Sequence, residues 1–145
     1  ILSGKYSLHK PNRQKMKNLT EISILVMLAI IMLQSGVDKL TDRKGNLDWM
    51  TSHFAKSPLK SMVPMLLSVV TIMELAAGVT AVLGAVTLFT SGNTTFAELS
   101  CLLSIANFMA LLFGQRMAKD YVGAQTIVIH LIPTIFLMYL LTRNI

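Results

Sequence analysis

Sorted into apolar and polar positions, the chain is four long apolar stretches separated by short polar joints. The stretches run about Leu19 to Leu40, Met62 to Phe89, Phe96 to Met117 and Gly123 to Leu141. A helix needs about 20 residues to cross about 30 Å of hydrocarbon, and each stretch reaches that length or comes within a turn of it. SGNTT joins the second stretch to the third, and QRMAKDYVGA joins the third to the fourth. Links this short force antiparallel neighbours. The pattern predicts an all-α, integral-membrane, four-helix up-down bundle with both termini on one side, the terminal side, opposite a loop side. The second stretch is longer than a straight crossing requires, so it must tilt or end before Phe89. Pro64 falls in its first turn, where a missing N–H matters little, whereas Pro133 lies inside the fourth stretch and should kink it.

The one substantial loop, residues 41–61, lies on the loop side. Within NLDWMTSHFAK, Leu47, Met50 and Phe54 fall on one helical face with Trp49 beside them. That spacing predicts a short interfacial helix with its indole at headgroup depth, or a segment folded over the mouth of the bundle; the two are compatible. Residues 1–18 are basic and have no apolar period, so they read as a flexible tail preceding a transmembrane domain over 19–141. Met16, followed at once by KNLTEISILVML, looks like a natural start, which would make the first fifteen residues an extension.

Composition agrees with this picture. Of 145 residues, 53% are hydrophobic and only 14% charged, a balance foreign to water-soluble domains. The formal net charge of +6 sits in the tail, loops and helix ends, which points to lipid headgroups and not to nucleic acid. Lysine and arginine are nearly balanced between the two sides if the tail is counted, and the balance leaves orientation open. Translation from Met16 would leave Lys17 and Arg143 alone on the terminal side and put the loop side in the cytoplasm. The single cysteine, Cys101, permits neither an intrachain disulfide nor a CxxC pair.

One letter disturbs the second stretch: TIMELAAGVTAVLGA carries Glu74. An ionised side chain at the bilayer centre costs about 2.5 to 3.5 kcal/mol, so it should face a neighbouring helix. Glu74, Ala77, Gly78, Ala81 and Ala85 share one narrow face, and small residues let helices approach closely. In so dry a setting the acid is a neutral donor unless a cation or water reaches it. Two further polar stripes offer partners: Ser100, Ser104, Asn107 and Gly114 on the third stretch, and Gly123, Thr126, His130 and Pro133 on the fourth. Glu74 and His130 are expected to meet in the loop-side half of the bundle. Gln34, Ser35, Asp38 and Lys39 end the first stretch, while Gln115, Arg116, Lys119 and Asp120 end the third. Connectivity gathers all of these at one mouth, where they would form a polar pocket beneath the loop. Plainer readings stand beside this one: Glu74 and Asn107 as interhelical glue, His130 as a packed neutral imidazole, and Arg116 paired with Asp120 at i, i+4.

The segment SGVDKL at the end of the first stretch, MELAAGV with Gly84 further on, and LLFGQRMAKDYVGAQTI, in this order within four spans, resemble the DoxX family of small bacterial membrane proteins. By that resemblance Ser35, Gly36, Lys39, Glu74 and Gly78 carry the family pattern. The resemblance implies a multi-pass protein of the bacterial inner membrane, in a family of which some members are linked to quinone-coupled thiosulfate oxidation and others to oxidative stress. With one cysteine, no nucleotide loop and no paired histidines, a self-sufficient redox centre is not expected, nor a metal site. A redox role would need a bound quinone or a protein partner subunit. Three functions follow: an accessory subunit or hydrophobic-ligand binder in a membrane redox or stress system, a small transporter or proton conduit using Glu74, Asn107 and His130, or a structural assembly factor.

Overall fold

The computed structural model describes residues 18–143; the basic tail lies almost wholly outside them. Four helices are long and apolar enough to cross a membrane. They are α1 (Leu19–Thr41), α3 (Val63–Ser91), α4 (Thr95–Met117) and α5 (Tyr121–Thr142). A shorter helix, α2 (Arg43–His53), and one 3-10 turn (Lys60–Met62) occupy the long loop. No strand occurs among the described residues. The chain is an all-α, multi-pass membrane bundle. Helix α1 packs chiefly on α3, α3 on α4 and α4 on α5.

The ends of the helices follow from local chemistry. Asp42 closes α1 and opens α2, its Oδ1 accepting the Gly45 N–H at 3.1 Å. Gly92 ends α3 in the left-handed region at φ 71°, where a side chain is disfavoured. Lys119, at φ 59°, breaks the chain after α4, and Asp120 then caps α5 by accepting the Gly123 N–H at 2.9 Å. This turn removes the helical spacing on which an Arg116–Asp120 pair depends. The Arg116 guanidinium instead lies 4.7 Å from the centre of the Tyr121 ring.

Close packing fixes the register. A Cβ on Gly36 would stand 2.8 Å from the Leu75 side chain, and one on Gly78 would stand 2.6 Å from Leu33. The pairs 36/75 and 33/78 set α1 antiparallel to α3, with Leu19 near the level of Gly92 and Thr41 near that of Val70. Gly84 meets the backbone of Ala97, and the Ser100 hydroxyl donates to the Ala77 carbonyl at 2.8 Å, which sets α4 antiparallel to α3 and holds the pair together in its terminal-side half. Cys101 is fully buried, with its thiol donating to the Thr134 carbonyl at 3.3 Å.

The excess length of the second stretch is thereby accounted for. Helix α3 does not stop before Phe89 but runs 29 residues, about 43 Å, against about 35 Å for the 23 residues of α1. The ends are level on the terminal side, so α3 and α4 project about two turns beyond α1 on the loop side. Helix α2 folds into the step left above the end of α1. Helix α5 continues through Pro133 without interruption of its helical assignment.

Candidate functional site

The step encloses a cavity of about 450 Å³. Its floor is polar. Glu74, 3% exposed, receives the Lys39 ammonium at 3.0 Å on Oε2 and 3.3 Å on Oε1. Lys39 also donates to Ser35 Oγ at 2.6 Å, and the Ser35 hydroxyl donates to Glu74 Oε1 at 3.1 Å. Ser35 and Lys39 are one helical turn apart on α1, so a single face presents both to the carboxylate. A cation therefore does reach the acid, and Glu74 with Lys39 forms an ion pair. Register places this triangle about one turn inside the end of α1, near the loop-side interface.

The walls are apolar: Leu66, Val69, Val70 and Met73 from α3, with Ala110, Leu111 and Phe113 from α4. The roof is α2 with the residue that follows it. Phe54 is buried, its ring lying over Gly114 at a distance that a Cβ there would meet in ordinary van der Waals contact, 3.5 Å. His53 reaches across to α4, its Nε2 standing 2.6 Å from Gln115 Oε1 and 3.6 Å from Asp120 Oδ2. The Trp49 ring stacks on His53 at 4.5 Å between centres. Of the two placements open to the 41–61 segment, folding over the mouth is therefore observed. Replacing His53 with Ala should remove about 1 kcal/mol of this tethering and raise amide exchange across 43–54 about fivefold in detergent. Unchanged protection would mean that α2 is held by something else.

Ser35, Lys39, Glu74 and Gln115 line the cavity together. Asn107 is fully buried, and its Nδ2 contacts the Met32 sulfur at 3.7 Å. The other predicted candidates stand apart. His130 makes no bond to Glu74; its ring stacks on Phe108 at 5.9 Å. Gln34 is exposed on the outer side of α1, and Asp38, also exposed, braces the start of α2 by accepting from Asn46 Nδ2 at 3.3 Å. Arg116 is occupied with Tyr121. Gly36 and Gly78 serve the close approach of α1 and α3 and do not line the cavity. Sequence reasoning did not single out His53, although its position four residues after Trp49 was a usable signal.

These features define a four-span membrane protein whose apolar cavity, at one end of the bundle, rests on a hydrogen-bonded ion pair. The chain belongs to the DoxX family, whose profile, described as DoxX, matches residues 24–106. The matched segment contains Ser35, Lys39 and Glu74 and ends before Gln115. Comparison with curated proteins and with solved structures returned no match.

Proposed function

We propose that this DoxX protein is an accessory subunit of a redox or oxidative-stress system in the bacterial inner membrane, holding a hydrophobic molecule of the quinone kind in the loop-side cavity. One observation carries the reading: the Lys39–Ser35–Glu74 triangle lies at the floor of a cavity whose walls are otherwise apolar. A ligand pocket commonly combines a few polar groups that orient one end of the ligand with apolar surface for the rest. Gln115 and His53 form the far rim. A protein partner would use the surface outside the cavity and supply whatever redox centre the system needs. The proton-conduit alternative asks for Glu74, Asn107 and His130 in series, and the stacking of His130 on Phe108 gives that series no support.

The test is extraction from the native membrane in mild detergent, followed by identification of bound lipids, quinones and co-purifying proteins. Wild type should retain a quinone, and Lys39→Met should lose it. A wild-type protein that emerges with neither ligand nor partner would defeat the proposal.

A further inference from the structure

The cavity has two boundaries of different character. Toward the aqueous loop side it is roofed by α2, with Phe54 buried and His53 bonded to Gln115. Between α3 and α4 the boundary is incomplete. Val69 and Phe113 both line the cavity and are 46% and 59% exposed, so neither is covered by a neighbouring helix. The helix register sets them at the same level, just past the end of α1. Ala110, one turn deeper on α4, also lines the cavity and is exposed; its methyl group is too small to fill the gap. Nearer the terminal side the same two helices are locked together, backbone to backbone, at Gly84 and Ala97. Any window between these two helices therefore lies toward the loop side, level with the end of α1.

The floor restricts what can pass through. Lys39 is already neutralised by Glu74, so the site has no surplus positive charge to hold an anion, and an anionic head would lie against the carboxylate. Lys39 gives two of its three ammonium N–H groups to Ser35 Oγ and Glu74 Oε1, and its side chain, 16% exposed, lines the cavity and can offer the third as a donor. An uncharged head with an acceptor oxygen, carbonyl or hydroxyl, satisfies that donor without adding charge.

We infer that the cavity loads sideways from the membrane, through the window between α3 and α4 at Val69, Ala110 and Phe113, and takes up an uncharged amphiphile whose acceptor oxygen bonds Lys39. This rests on the ligand-binding reading above and adds the route and the head chemistry. Because the roof is not on the route, loosening it leaves loading unchanged.

The single tryptophan provides the readout, since Trp49 lines the cavity. Full-length protein in nanodiscs is mixed with vesicles carrying a brominated, uncharged monoacylglycerol, and indole quenching is followed by stopped flow. Wild type should show a saturable component that Lys39→Met abolishes, with an equally brominated fatty-acid anion quenching no more than it does in Lys39→Met. Ala110→Phe, which adds bulk at an exposed position on the edge of the cavity, should slow binding and release together by about tenfold, as a blocked doorway does and a lost contact does not. Val69→Phe should act in the same way, and Asp42→Ala, which removes the α2 cap outside the cavity lining, should leave the rates as they are. Faster loading in Asp42→Ala, with no change in Ala110→Phe and Val69→Phe, would overturn the sideways route while keeping the ligand site. Absence of any saturable, Lys39-dependent quenching in wild type would remove the site itself and the route with it.

Discussion

Lys39→Met should destabilise the bundle by about 3 kcal/mol, because it leaves a carboxylate buried between helices without its cation. Glu74 is almost wholly enclosed, and its remaining hydrogen-bond partner, the Ser35 hydroxyl, carries no charge. The double substitution Lys39→Met with Glu74→Leu should recover most of that loss, since an ion pair exchanged for packed apolar groups is commonly neutral or better. Unfolding in mixed micelles, monitored by circular dichroism, gives both numbers. The same double variant should still fail to retain a ligand. If it binds normally, the pair serves packing alone; if the single and double variants are equally unstable, the two residues are not coupled as the geometry requires.

Gly84→Ala should cost about 2 kcal/mol, even though alanine in a helix interior is worth about 1 kcal/mol over glycine. The added methyl would stand 2.7 Å from the Ala97 nitrogen and 2.8 Å from its Cα, and neither backbone atom can move without shifting α4. Gly36→Ala makes the informative contrast. There the nearest atoms belong to the flexible Leu75 side chain, so the gain in helix propensity and the local crowding should leave stability within about 1 kcal/mol of wild type. A Gly84→Ala protein as stable as wild type would mean that α3 and α4 do not touch at this level, and the wedge that opens toward the cavity would lose its apex.

The four spans were legible because the apolar runs are bounded by sharp changes in polarity. Leu19, Met117 and the turn at Gly92 fall where the letters place them. The inward direction of Glu74 was equally legible, from the cost of exposing it to lipid. Its partner was not. The polar stripes of the third and fourth stretches drew attention to His130, but a stripe does not fix how far a helix is rotated about its own axis. Helix α5 turns His130 toward Phe108. The cation came from the first span, where Ser35 and Lys39 at i, i+4 flank the glycine that admits Leu75. The difference in length between α1 and α3 was visible as residue counts, but its meaning depended on register. Only the glycine contacts reveal that all of the excess projects on the loop side, and it is this projection that makes the cavity.

The enclosed position of Cys101 has a practical consequence. Its thiol is the only one in the chain and has no exposed surface, so a membrane-impermeant maleimide applied to intact cells will not modify the native protein. A cysteine introduced at exposed Thr41 on one face, or at exposed Thr142 on the other, becomes the sole reactive group. A single gel shift then assigns the cavity to its compartment.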